Sequence, residues 1–113
     1  MARYCLVGQV DPANLEVYRQ RHRQVWPALL AALRDAGWRN YSLFLGPDGL
    51  LVGYVEADDL DQAQARVAAT AVNAAWQAEM SRLFAGDGAP DEAWRRLELV
   101  FNLEDQLDAT AQP

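Results

Sequence analysis

The stretch WRNYSLFLGPDGLLVGYVE, residues 38–56, decides the fold of this chain. Large apolar or aromatic side chains recur at every second position over residues 41–45, which is the period of a β-strand. The sequence GPDG at residues 46–49 is typical of a tight turn, and an apolar run over residues 50–56 follows it directly. We therefore predict a hairpin of two antiparallel strands.

A helical pattern lies on each side of this hairpin. Residues 13–36 repeat apolar side chains at helical spacing, and Gly37 supplies the stop. Pro27 lies within that pattern, so we predict either a kink at this position or two helices, the second with Pro27 in its first turn. A second helical region, rich in alanine, covers residues 60–84 in two parts, and the sequence GDGAP at residues 86–90 breaks it.

Short strands at the two ends complete the pattern. Residues 3–10 form an apolar, partly β-branched run, and in residues 97–103 leucine and phenylalanine alternate with other residues. The order β-α-β-β-α-β predicts an α+β fold of the ferredoxin-like, split β-α-β type, in which a four-stranded antiparallel sheet carries helices on one face. We expect one domain over residues 1–104 and an acidic tail over residues 105–113 with little to bury.

The second face of this sheet needs a cover. The run Leu50-Leu51-Val52 places apolar side chains on both faces of its strand, so neither face is expected to be fully hydrated. A second copy of the chain is the simplest cover, and we predict a homodimer of the dimeric α/β-barrel type.

Composition limits the classes of function. The chain has 113 residues, which suits one domain, and its formal net charge of −6 opposes binding to nucleic acid or to an anionic membrane surface. The single cysteine, Cys5, cannot form an internal disulfide, and no apolar stretch is long enough to cross a bilayer, so we expect a cytoplasmic protein. One histidine and one cysteine make a zinc site improbable, and the glycine-rich loops that hold nucleotide phosphates are absent.

The most unusual residues are Tyr18, His22 and Trp26, which follow one another at intervals of four. On one helix they would share a face, where a purely structural role would favour aliphatic side chains. His22 is the only histidine, and a single histidine on an amphipathic helix is usually structural. The aromatic neighbours with polar tips instead favour a binding site in which an imidazole exchanges protons near neutral pH.

Two further aromatic residues are candidates for the same site. Trp76 is either part of the core or a stacking platform, and Tyr41 either packs the hairpin or offers its hydroxyl to a ligand. Asn40 and Ser42 should point to the sheet face opposite Tyr41, so at most one of these two sets lines a given pocket.

The chain resembles the L-rhamnose mutarotase family, whose members are small dimeric ferredoxin-like proteins. The resemblance runs from about residue 3 to residue 103 and rests on Tyr18, Arg21-His22, Val25-Trp26-Pro27, Leu29, Gly37, Asn40-Tyr41-Ser42, Trp76 and Met80. It implies that the chain interconverts the α and β anomers of a 6-deoxy hexose without a cofactor.

The resemblance also implies roles for individual residues. His22 corresponds to the proton donor, and Tyr18 and Tyr41 correspond to residues that bind sugar hydroxyls. Trp76 matches the first member of a tandem aromatic pair that contacts the sugar. The second member is usually tryptophan, whereas this chain has Gln77, which exchanges stacking area for hydrogen bonding and brings L-fucose into consideration.

The chemistry of the residues agrees with this implication. Mutarotation protonates the ring oxygen, removes the anomeric hydroxyl proton and recloses the ring on the other face of the carbonyl, so one acid–base group can suffice. We predict that His22 is the general acid and that Trp26 and Trp76 bracket the apolar face of the sugar. The group that removes the anomeric proton stays open between water and a tyrosine hydroxyl.

Three other functions are compatible with the same residues. They are an L-fucose-specific mutarotase, an enzyme similar to the dimeric antibiotic monooxygenases, and a binding module without catalytic activity. Anomer exchange that needs no oxygen would exclude the second, and binding of sugar without faster exchange would indicate the third.

Overall fold

The computed structural model describes residues 1–84, 90 and 93–110. Its strands and helices, in chain order, are β1 (Ala2–Gln9), α1 (Leu15–Arg23), α2 (Pro27–Ala36), β2 (Arg39–Leu45), β3 (Leu50–Ala57), α3 (Leu60–Ala68), α4 (Ala71–Ser81), β4 (Arg95–Leu97) and α5 (Leu103–Thr110), with one turn of 3₁₀ helix at Pro12–Asn14. The α+β class predicted from the sequence is confirmed.

The four strands form one antiparallel sheet in the order β2-β3-β1-β4. The central pair, β1 and β3, runs in register from Ala2 opposite Ala57 to Gln9 opposite Leu50. This order confirms the ferredoxin-like arrangement, because β1 and β2 lie in the same direction with β3 between them.

Two glycines set the geometry around the hairpin. Gly37 ends α2 in the left-handed region with φ of +102°, and Gly49 has φ of +93° in the turn between β2 and β3. A Cβ at Gly49 would collide with the carbonyl oxygen of Val10, whose N–H donates to the Gly49 carbonyl at 2.8 Å. Glycine is therefore required at position 49 for both its φ and the close approach of β1.

The first helical region is two helices rather than one kinked helix. α1 ends at Arg23, and α2 begins at Pro27, which occupies the first helical turn where no N–H is needed. Trp26 precedes α2 and adopts an extended backbone. The expectation that Tyr18, His22 and Trp26 share one helix face is therefore wrong, because the proline breaks the helix between the last two.

The core lies between the helices and one face of the sheet. Leu6, Leu51 and Val55 are completely buried on that inner face, and Leu60 of α3 packs against them. The Trp38 indole donates to the Ala63 carbonyl at 3.1 Å, which ties the start of β2 to α3. Burial of these side chains positions α2, α3 and α4 over the sheet.

The last strand is shorter than predicted. β4 covers only Arg95–Leu97, opposite Cys5–Val7 of β1, and residues 98–102 have no regular structure. Helix α5 begins at Leu103, where the side chain of Asn102 accepts a hydrogen bond from the Asp105 N–H at 3.0 Å and acidic residues occupy the first turn. The prediction of a strand over residues 97–103 is therefore wrong beyond Leu97.

The C-terminal residues up to Thr110 form helix α5, whereas the sequence predicted an acidic tail with little to bury. The predicted boundary between residues 104 and 105 falls within α5, and Asp105 forms an ion pair with Arg3 of β1 at 3.1 Å. The proposed division into a domain and a tail stays a prediction. Most of the predicted break at residues 86–90 lies outside the described residues, as do residues 111–113.

Candidate active site

A cavity of about 340 Å³ lies between the helices and the inner face of the sheet. Its lining residues come from α1, α2, α4 and β2, with further residues from α3 and from the segment before β4. The described residues that line it are Tyr18, His22, Val25, Leu29, Leu30, Leu33, Trp38, Tyr41, Leu43, Val67, Asn73, Trp76, Gln77, Met80, Phe84, Pro90 and Trp94. The lining is mostly apolar with a few polar side chains, as is typical of small-molecule sites.

His22 lies half-buried in this cavity on the last turn of α1. Its ring stacks on the Tyr18 ring with 4.1 Å between the ring centroids, and its Nδ1 lies 2.8 Å from the Tyr18 carbonyl oxygen. A carbonyl oxygen only accepts, so Nδ1 carries a proton and donates it. Nε2 is then the nitrogen whose protonation can change.

The surroundings of His22 favour its neutral form. Burial lowers the pKa of His22, and the hydrogen bond to the Tyr18 carbonyl opposes that effect only in part. Burial also raises the pKa of Tyr18, so its phenol keeps its proton. The two side chains together present a neutral hydroxyl and a neutral imidazole to the cavity.

Trp76 is the second wall beside His22. Its ring meets the His22 ring edge to face at 5.5 Å between centroids and is itself almost fully buried. The Trp26 ring also meets the Trp76 ring edge to face, at 5.1 Å between centroids, and Trp26 is not among the described residues that line the cavity. Trp26 therefore supports Trp76, and Trp76 faces the cavity.

The face that Tyr41 occupies follows from an irregularity in β2. Between Arg39 and Ser42 the register with β3 shifts, and Asn40 has a positive φ of 48°. Tyr41 lines the cavity and packs on Trp38 at 4.7 Å between centroids, in the space that Gly53 leaves open. The structure thus places Tyr41 on the inner face of the sheet.

Asn40 and Ser42 belong to the other side of the sheet. The side chain of Asn40 donates to Glu56 at 3.1 Å, and Tyr54 donates to the same carboxylate at 2.8 Å. Ser42 is opposite Tyr54 in the register. These residues therefore do not contribute to the cavity.

Sequence reasoning missed one polar residue of the site, Asn73 on α4. Its side chain is 5% exposed and accepts a hydrogen bond from the Gln77 side chain at 3.2 Å. Asn73 precedes Trp76 by three residues and Gln77 by four, so all three share one face of α4. The spacing of Asn73 from Trp76 and Gln77 could therefore have identified it as a site residue from the sequence.

An ion pair joins the two helices that carry these groups. Arg21 of α1 lies 2.6 Å from Glu79 of α4, next to the cavity and partly exposed. No group of three or more side chains that could ligate a metal ion occurs within the part of the chain that the structure describes. In that part, no helix is both long and apolar enough to cross a bilayer.

Comparisons with known proteins agree on one family. The family model for L-rhamnose mutarotase matches residues 3–103. The chain is 38% identical to an L-rhamnose mutarotase of Burkholderia orbicola, over 85% of this chain and 92% of that protein. It is 34% identical to one of Mannheimia succiniciproducens, over 92% of this chain and the whole of that protein.

Solved structures agree in fold. The crystal structure of an L-rhamnose mutarotase from Formosa agariphila superposes with a TM-score of 0.73 at 24% identity, and the match covers 91% of this chain and 99% of that one. A Mycobacterium tuberculosis protein, Rv0793, has the same fold with a TM-score of 0.56 at 16% identity, covering 90% and 99%. From the family match across nearly the whole chain, this protein belongs to the L-rhamnose mutarotase family of enzymes.

Proposed function

We propose that the protein interconverts the α and β anomers of L-rhamnose or of a related 6-deoxy hexose without a cofactor. The observation that carries this proposal is His22, whose Nδ1 is held by the Tyr18 carbonyl while its ring lines a cavity of a size suited to a monosaccharide. The family assignment and the names of the relatives support the choice of sugar.

The fixed tautomer suggests how one imidazole serves both proton transfers. Nε2 of neutral His22 accepts the proton of the anomeric hydroxyl as the bond between C1 and the ring oxygen breaks. The resulting imidazolium gives that proton to the departing ring oxygen, which left the same carbon with the electron pair of the broken bond and lies within reach after a small shift. Ring closure on the other face of the carbonyl reverses the steps, so His22 is regenerated and the protons balance.

In this mechanism His22 is the general acid of the second transfer and the general base of the first. The sequence-based hypothesis assigned only the acid role and left the base open. The lowered pKa of His22 supports the neutral starting form, because a group that is mostly unprotonated at neutral pH is ready to accept a proton. Acid–base catalysis of about 10²–10⁴-fold is sufficient for a reaction that already proceeds in water.

The other lining residues hold the sugar. We assign the hydroxyls of Tyr18 and Tyr41 to hydrogen bonds with the ring hydroxyls, because each lies in the cavity wall on a different element. Trp76 covers an apolar ring face, and Trp26 keeps the Trp76 ring in place from outside the cavity. Gln77 contributes a polar contact from α4.

The proposal includes a homodimer. Several large apolar side chains are exposed on the outer sheet face and in residues 97–103, among them Phe44 at 63% and Val100 at 82%. Residues 98–102 have the alternating pattern of a strand, and the structure shows them in no regular element. Exposed apolar side chains on one face of a sheet are typical of a surface that a second copy covers. The cytoplasmic location stays a prediction.

Proton NMR exchange spectroscopy on L-rhamnose tests the proposed function. We expect cross-peaks between the two anomeric protons to grow with protein concentration, with equal rates in aerated and oxygen-free buffer. The same measurement on L-fucose ranks the two sugars. Saturation transfer from protein to sugar without faster exchange would instead indicate a binding module, and an inert protein toward both sugars would refute the proposal.

A further inference from the structure

We infer that Asn40 and Glu56, on the outer face of the sheet, are positioning residues for Tyr41 on the inner face. The hydrogen bond between their side chains holds a β-bulge in β2, and the bulge directs Tyr41 into the cavity. This inference rests on the proposed function and adds to it a control of sugar binding from the opposite side of the sheet.

One extra residue in β2 forms the bulge. Arg39 lies opposite Glu56 and Ser42 lies opposite Tyr54, so β2 has two residues between these pairs where β3 has one. Asn40, with φ of 48°, is the only residue other than glycine with a positive φ in the part of the chain that the structure describes. Asparagine adopts this left-handed conformation more readily than most residues. The strand therefore departs from regular geometry at Asn40.

The bulge determines which side chains reach the cavity. Trp38 and Tyr41 are three residues apart, and in a regular extended strand such residues point to opposite faces of the sheet. Here both line the cavity, and their rings pack at 4.7 Å between centroids. The Tyr41 ring also lies beside Gly53, where a Cβ would be 3.5 Å from Tyr41 Cε1. The position of the Tyr41 side chain in the cavity therefore depends on the bulge.

The side chain of Asn40 anchors the bulge to β3. Its Nδ2 donates to Glu56 Oε2 at 3.1 Å on the outer face, and the Tyr54 hydroxyl donates to the same oxygen at 2.8 Å. The Asn40 amide does most to hold the pKa of Glu56 below its usual value, followed by the Tyr54 hydroxyl. A residue with a side chain stays in the left-handed conformation only where its surroundings hold it there, and this hydrogen bond is such a restraint.

Asn40→Gly separates the backbone conformation from the anchor. Glycine adopts a positive φ without strain but has no side chain to bond Glu56, and the position is exposed, so the core is left intact. We measure anomer exchange over a range of L-rhamnose concentrations. We expect KM to rise about two- to fivefold with kcat nearly unchanged, because the Tyr41 hydroxyl binds substrate and transition state alike.

Variants of Glu56 test the other end of the hydrogen bond. Glu56→Ala removes the acceptor and should raise KM as Asn40→Gly does. Glu56→Gln keeps an acceptor oxygen, so its KM should stay within about twofold of the wild-type value. Tyr54→Phe is the matched control on the same face and should have the wild-type KM, because it removes the other hydrogen bond to Glu56 and leaves the one from Asn40.

A double-mutant cycle distinguishes positioning of Tyr41 from a general loss of structure. In the Tyr41→Phe background, Asn40→Gly should change kcat/KM by less than about 1.5-fold, since the hydroxyl that it positions is already absent. A loss of stability or of the proposed dimer would instead lower kcat/KM by the same factor in both backgrounds.

The outcomes are distinguishable. A wild-type KM for both Asn40→Gly and Glu56→Ala would overturn this inference and leave the proposed function intact, and so would an equal loss from Asn40→Gly with and without the Tyr41 hydroxyl. Absence of anomer exchange by the wild-type protein would overturn the proposed function and this inference with it.

Discussion

The Nδ1 of His22 lies 2.8 Å from the backbone carbonyl oxygen of Tyr18, one helical turn before it, and the two rings stack at 4.1 Å. The Tyr18 carbonyl lies within α1, so the imidazole hydrogen-bonds to the backbone of its own helix one turn before it. The same bond fixes the tautomer and the ring orientation. The structure of α1 thus prepares the catalytic group of the proposed mechanism.

Replacement of His22 should remove most of the catalysis. For His22→Ala we expect the enzyme-dependent rate of anomer exchange on L-rhamnose to fall about 10²–10⁴-fold, because both proton transfers use this imidazole. Exchange NMR gives the rate, and circular dichroism reports whether the fold is kept. Gln20→Ala, at an exposed position of α1, is the control and should exchange anomers at the wild-type rate. A His22→Ala protein with unchanged activity would contradict the assignment.

The pH profile distinguishes the two possible starting forms of His22. Burial lowers its pKa below the ordinary value of 6.5, so the neutral form predominates at pH 7 and is lost as the pH falls. We expect kcat/KM to be flat above neutral pH and to decline on acidification through a pKa below 6.5. The buffer-catalysed rate, measured without protein, is subtracted. Activity that instead rises as the pH is lowered from 7 to 5 would show that the imidazolium starts the reaction.

The hydroxyl of Tyr41 should contribute to sugar binding. Tyr41→Phe keeps the ring that packs on Trp38 and removes one hydrogen-bonding group from the cavity. We expect kcat/KM for L-rhamnose to fall about three- to tenfold, with little change in thermal stability. Tyr54→Phe is the matched control, since that hydroxyl bonds Glu56 on the opposite sheet face. Equal kinetics for the two variants would remove Tyr41 from the site.

The two glycines with positive φ should differ in their tolerance of a side chain. Gly37→Ala should lower the free energy of unfolding by about 1–2 kcal/mol, the cost of the left-handed conformation, since no atom obstructs its Cβ. Gly49→Ala should cost more, because its Cβ also meets the Val10 carbonyl oxygen. Urea denaturation measures both losses. A smaller loss at position 49 than at position 37 would contradict the described contact of β1 with the turn.

The outer sheet face should control assembly. Phe44 is on this face, opposite Val52 of β3, and is 63% exposed in the single chain. We expect wild-type protein to elute as a dimer in size-exclusion chromatography with light scattering, and Phe44→Glu to shift it to the monomer by placing a charge in an apolar interface. Val17→Glu, on the partly exposed surface of α1, should stay dimeric. A monomeric wild type at micromolar concentration would refute the predicted dimer.

Local patterns in the sequence were sufficient for most of the fold. The two-residue period around GPDG predicted the hairpin, and the helical spacing predicted both helical regions, because each of these signals acts within a few residues. The same local signals failed at the end of the last strand. There the alternating pattern continues to residue 103, but the strand ends at Leu97 and the capped helix α5 takes up the end of the pattern.

The sequence by itself determined the class of fold, the family resemblance and the identity of the unusual residues, because residue type and spacing carry that information. Only the tertiary structure decided how those residues meet. Pro27 begins a new helix, so Trp26 does not share a helix face with His22. Trp26 instead contacts the site through the ring of Trp76. Packing of α4 against α1 brought Asn73 and Gln77 into the same cavity as His22. Such contacts depend on how helices pack across a shared core, and the spacing of apolar residues within one segment carries no information about that packing.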